Sequence, residues 1–239
     1  MESAALFLFF GPEDGPGNAM VRIFWLTRTL ADLPGGDEWL SDRERAFAAS
    51  LRVAKRHNDW LLGRWTAKLA VGAYLGEASE VEIHAGADGA PEAVRRGERL
   101  PVSISLSHSS GACLCVVAPP AISVGCDIER IETRDENFAA DYFTGEEQAL
   151  LRRAPADDHP LIATLIWSAK ESALKVLRQG LRRDTRSVVV DLDPAPAGRG
   201  WDRFSVRCAE SARTLPGWWK RHGEFILAIA ADVVIDEPQ

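Results

Sequence analysis

The sequence is poor in the features that mark several common functions. Basic residues are outnumbered: 28 Lys and Arg against 35 Asp and Glu give a formal net charge of −7, which argues against general affinity for nucleic acid. No apolar run approaches the roughly 20 residues needed to cross a bilayer, so no membrane contact is expected. Only four cysteines occur, Cys113, Cys115, Cys126 and Cys208. Their C-x-C pair has no partner pair at zinc-ligand spacing, so free, buried thiols in a reducing compartment are expected. Neither H-E-x-x-H nor G-x-S-x-G is present, which removes the zinc-protease and α/β-hydrolase signatures. No residue-level internal repeat is evident. The apolar run at residues 4–10 is short and has no basic residues before it. It does not read as a signal sequence, and a cytoplasmic location is expected.

What is present is an α+β pattern. Residues 21–27 read as a strand, 41–75 as a helical stretch opened by the Ser41/Glu44 capping box, and 80–85 as a strand followed by a "GADGAP" turn. Residues 102–108 and 112–118 alternate as a hairpin. After "PPA" at 119–121 the order restarts, with a strand at 122–129 and helical segments at 136–153 and 160–178. Strands follow at 187–192, 204–209 and 224–234. Each half reads as strand, helices, three strands. The expected architecture is two similar subdomains related by pseudo-twofold symmetry, residues 21–119 and 120–239. Each would be an antiparallel sheet packed with helices, with the active site in the cleft between them. Residues 1–20 form an unassigned extension.

Three stretches carry candidate chemistry. In "ISVGCDIERI", residues 122–131, alternation puts Ile122, Val124, Cys126 and Ile128 on one face and Gly125, Asp127 and Glu129 on the other. Two acids on one strand face repel; the arrangement is either a solvated edge or a site for a hard cation. In "WSAKESALKVL", residues 167–177, Glu171 and Lys175 share a helix face. The plain reading of that pair is an exposed i,i+4 ion pair worth ~0.2–0.5 kcal/mol. In "SLSHSS", residues 105–110, His108 stands just before a turn, where it and Ser107 are suitable donors to a phosphate oxygen.

Together with Phe143 and Glu147, these motifs occur in the order S-x-S-H, V-G-x-D-I-E, F-x-x-x-E and W-x-x-K-E-S-x-x-K. That set resembles the 4′-phosphopantetheinyl transferases over residues 41 to 232, in particular their monomeric, two-subdomain branch. The resemblance implies Mg²⁺-dependent transfer of 4′-phosphopantetheine from coenzyme A to a serine of an apo acyl or peptidyl carrier protein, with release of adenosine 3′,5′-bisphosphate. It implies Asp127, Glu129 and Glu171 as ligands of Mg²⁺, or of Mn²⁺ in its place. Ser107, His108, Lys170 and Lys175 are implied at the coenzyme A phosphates, and by looser alignment Arg56 and Arg64. The general base is either Glu171 or a metal-bound hydroxide, and Glu147 supports the carrier contact or the water. One departure stands out: the family often has G-x-x-G-K-P where this chain has Gly86 to Pro91 with Ala90 in place of the lysine. The alternatives are a phosphohydrolase that uses the same acids on water, and a non-catalytic module that binds coenzyme A or a carrier.

Overall fold

The computed structural model describes residues 21–76, 80–135, 137–178, 184–192 and 200–239; the extension at 1–20, with its apolar run, lies outside them. The chain is α+β, with three antiparallel sheets and five α-helices among the described residues. Strand β1 (Phe24–Thr29) leads into α1 (Asp42–Ser50) and α2 (Ala54–Leu75). Then come β2 (Glu82–Ala85), β3 (Pro91–Arg95), β4 (Glu98–Arg99) and the hairpin β5 (Ser103–Ser109) and β6 (Ala112–Ala118). The second part runs β7 (Val124–Arg130), α3 (Phe138–Tyr142), α4 (Gly145–Arg153), α5 (His159–Val176), β8 (Val188–Leu192), β9 (Asp202–Cys208), β10 (Thr214–His222) and β11 (Phe225–Ala231). The strand orders are β1-β6-β5, β2-β3-β4 and β7-β11-β10-β9-β8.

Alternation on β6 decides the layering. Cys115 and Val117 pack against Ala67, Ala70 and Val71 of α2. Leu114 and Val116 face Val124, Cys126, Ile128, Leu227 and Ile229 of the five-stranded sheet. That sheet is backed in turn by α5 through Ile166, Ala169 and Ala173. Strand β7 is therefore covered on both faces, and Val124 to Ile128 are all buried. The solvated-edge reading of this strand does not hold: its Gly125 face meets α5. A Cβ at Gly125 would lie 2.0 Å from the Ser172 carbonyl oxygen and 2.9 Å from the Val176 nitrogen. Only a glycine lets the helix backbone rest on the strand.

Three further differences from the sequence reading have local causes. The helical stretch 41–75 is two helices. The Ser50 hydroxyl donates to the Phe47 carbonyl at 2.6 Å and Leu51 N–H bonds back to Ala48, closing α1 without Gly or Pro. Strands β3 and β4 follow the "GADGAP" turn, where Pro91 opens a strand instead of ending one. Strand β10 contains Pro216 and Gly217 and so reads as a break. Gly217 is required there because a Cβ would fall 2.3 Å from the Phe204 ring.

One device occurs twice. In α1, Glu44 accepts the N–H of Ser41 at 3.0 Å, the Lys68 ammonium at 2.6 Å and the Ile83 N–H at 3.1 Å. In α4, Glu147 accepts the N–H of Thr144 at 2.8 Å, the Lys170 ammonium at 2.8 Å and the Val190 N–H at 2.8 Å. In both cases a capping-box glutamate ties its own helix to the next long helix and to a strand.

Candidate active site

The serines of β5 join that strand to β7. Ser105 Oγ accepts the Cys126 N–H at 3.0 Å, Ser107 Oγ donates to Asp127 Oδ1 at 2.7 Å, and Ser109 Oγ donates to Glu129 Oε2 at 3.0 Å. Period-2 spacing on β5 is what aims all three at β7. From α5, Ser168 Oγ donates to the other Asp127 oxygen at 2.8 Å. Lys175 Nζ reaches Asp127 Oδ1 at 3.0 Å and the Cys126 carbonyl at 2.8 Å. Asp127 is buried and its two oxygens take three donors. Neither Ser109 nor Ser168 was singled out from the sequence; only the register of β5 against β7, and of α5 across them, brings them in.

Glu171 stands one helical turn before Lys175 and differs from Asp127 in one respect: its Oε1 is buried and has no hydrogen-bond partner. Burial, then the charge of Asp127, push its carboxyl up to about 7; Glu129 adds to the rise and Lys175 opposes it. Burial and then Asp127 also raise Glu129, against the Ser109 hydroxyl, Arg134 and the Trp167 indole. Arg134 lies 3.7 Å from Glu129 and over the Phe138 ring. Burial pulls the Lys175 ammonium down, but the surrounding negative charge, led by Asp127, leaves it raised and charged. The arrangement is three carboxylates in mutual repulsion, one ammonium among them, and one acceptor oxygen left over.

Residues 123–230 match the family described as the 4′-phosphopantetheinyl transferase superfamily. The chain is also 29% identical over 147 residues to "4′-phosphopantetheinyl transferase HetI" of Nostoc sp. (strain PCC 7120 / SAG 25.82 / UTEX 2576), a stretch covering 60% of this chain and 62% of that protein. The alignment thus spans somewhat less than two thirds of the relative's length.

Set against the residues expected from the transferase resemblance, the structure brings together Asp127, Glu129, Glu171, Lys175 and Ser107, and separates others. Lys170 is a correction. It is fully buried, with Nζ on Glu147 and on the Thr185 and Val188 carbonyls at 2.9 and 2.6 Å. It faces the interior, because α5 is packed on nearly all sides, and Lys170 does there what Lys68 does on α2. Glu147 is corrected with it, being buried in the same network. The Ser107 hydroxyl donates to Asp127 and orients that carboxylate. His108 is half exposed, its Nδ1 3.9 Å from Asp59, which also pairs with Lys55 at 2.8 Å. Arg64 stacks on Trp60 beside Glu44, and Arg56 is exposed near the start of α2; neither is brought to the carboxylates.

The metal expectation also needs restating. Among the described residues no group of three or more His, Cys, Asp or Glu side chains forms a ready-made ligand set. Asp127 already has its oxygens on Ser107, Ser168 and Lys175. The donor chemistry nonetheless fits a hard divalent cation: carboxylate oxygens only, mutually destabilised as anions, with Glu171 Oε1 open. The four cysteines are free and buried, as expected. Burial raises Cys113 to about 12 and Cys126 to about 11, so these thiols are inert.

Proposed function

We propose that the chain transfers the 4′-phosphopantetheine moiety of coenzyme A to a serine hydroxyl of an apo carrier protein and releases adenosine 3′,5′-bisphosphate. The observation that carries this reading is the buried, unpartnered Glu171 oxygen beside Asp127 and Glu129, within a segment that matches the transferase superfamily. Mg²⁺, or Mn²⁺ in its place, would be held by Asp127, Glu129 and Glu171. When bound it would neutralise the diphosphate of coenzyme A. Lys175 serves the same phosphates as a fixed positive charge, with His108 at the rim and Arg56 and Arg64 as more distant basic residues. Asp127 is oriented by Ser107 and Ser168. Glu171 would take the proton of the carrier serine as the serine oxygen bonds to phosphorus and the nucleotide phosphate leaves.

The reading extends to the whole chain. Two subdomains, residues 21–119 and 120–239, would be related by a pseudo-twofold axis with the site in the cleft between them. The twin Glu44–Lys68 and Glu147–Lys170 devices, each anchored on a strand N–H, support that relation. We take the protein to be a cytoplasmic monomer whose partners are coenzyme A and apo acyl or peptidyl carrier domains.

The test is to incubate the protein with coenzyme A, Mg²⁺ and apo-carrier proteins and weigh the carriers by mass spectrometry. Addition of phosphopantetheine to the carrier, abolished by EDTA, is the expected result. Metal-dependent cleavage of coenzyme A with the carrier unmodified would identify a phosphohydrolase instead, and binding without turnover a non-catalytic module.

A further inference from the structure

Helix α5 ends at Val176, and two residues later the backbone is left-handed: Arg178 has φ +57°. Glycine or asparagine usually stands at such a position. A residue with a larger side chain is strained there. The side chain that incurs this strain reaches Asp88 Oδ2 at 3.0 Å, ninety residues back in the chain. Both partners are substantially exposed, 45% and 39%. Exposed pairs of this kind contribute little, no more than enough to offset the backbone. Stability therefore does not account for arginine at this site.

Its position supplies a reason. Lys175, about one helical turn earlier, has its ammonium on Asp127. Arg178 puts a second cation at the turn of residues 86–91, "GADGAP", which has no basic residue of its own. Asp88 is itself fixed, its Oδ1 accepting the Ala90 N–H at 3.0 Å. A guanidinium resting on an exposed carboxylate exchanges readily for a phosphate, whose tetrahedral group also offers two oxygens to the planar guanidinium fork and carries more charge.

Resting on the transferase reading, we propose that Arg178 is a phosphate-binding residue for coenzyme A, parked on Asp88 until the nucleotide arrives. The test is calorimetric titration of coenzyme A into the full chain and into Arg178→Gly, Arg178→Lys and Asp88→Asn. Glycine suits the left-handed backbone and asparagine retains the acceptor for Ala90, so both variants keep the local fold. Arg178→Gly is expected to weaken coenzyme A binding about tenfold at low salt, with a smaller loss at high salt. Arg178→Lys should keep part of the affinity, and Asp88→Asn should bind as tightly as the parent or more so. With dephospho-coenzyme A, an effect that disappears assigns the 3′-phosphate as the partner, and one that persists assigns the diphosphate. Parental affinity in Arg178→Gly overturns the proposal. So does an equal loss in Asp88→Asn, which would make the pair a structural clamp. A parent chain that binds no coenzyme A would overturn the transferase reading along with it.

Discussion

Two residues on α5 that look equivalent in the sequence have opposite fates. Lys170 and Glu171 are neighbours, yet one is sealed against Glu147 and the other leaves an oxygen open beside two further acids. Lys170→Ala strands a buried carboxylate. It is expected to lower stability by about 3–5 kcal/mol in urea unfolding, while the fraction still folded retains transfer. Glu171→Gln should do the reverse, keeping the fold and lowering the transfer rate at least about 100-fold in the carrier mass assay. Glu171 also sets a pH dependence in metal-free protein. Its carboxyl rises from 4.5 to about 7 on folding, so the protonated form is favoured in the native state. The associated stability is fully present below about pH 4.5 and is lost as pH rises through 7. The change is on the order of 3 kcal/mol. Urea titrations in EDTA at pH 5.5 and 8 should show that decline in the parent and a flatter profile in Glu171→Gln.

At the scale of elements, the glycine of "VGCDIE" is a contact requirement. Gly125→Ala drives a methyl into the α5 backbone, where neither partner is a flexible side chain. A loss of roughly 3 kcal/mol or more in urea unfolding is expected. The strand carrying Asp127 and Glu129, the hairpin before it and the helix carrying Glu171 were all legible, because each has a clean period or a capping signal. The fate of Lys170 was not. Helical periodicity assumes one buried face, and α5 is enclosed by β7, β8, β11 and α4. The carboxylate that takes the Lys170 ammonium lies on another helix, beyond the reach of any local pattern. Strand β10 was lost for a related reason, since Pro216 and Gly217 are read as breakers until the Phe204 ring is seen in the space a Cβ would need.

For the whole molecule, acids from β7 and α5 are held together by tertiary structure while repelling one another, so a bound divalent cation should stabilise the native state by linkage. Thermal unfolding with Mg²⁺ and coenzyme A added together is expected to move upward in the parent. In Glu171→Gln the upward shift should be smaller. The order of the sequence motifs made the transferase resemblance legible, whereas the crowding of Asp127 by Ser107, Ser168 and Lys175 depends on tertiary register. The serines of β5 have a consequence of another kind. Ser105, Ser107 and Ser109 alternate in step with the pleat, so replacing any one removes a single rung between the sheets. Inserting or deleting one residue early in that strand turns every later side chain to the opposite face and unhooks Asp127 and Glu129 together. The centre is thus tolerant of spelling errors and intolerant of frame slips, and length variation in related chains should fall at the 110–111 turn and not within the strand.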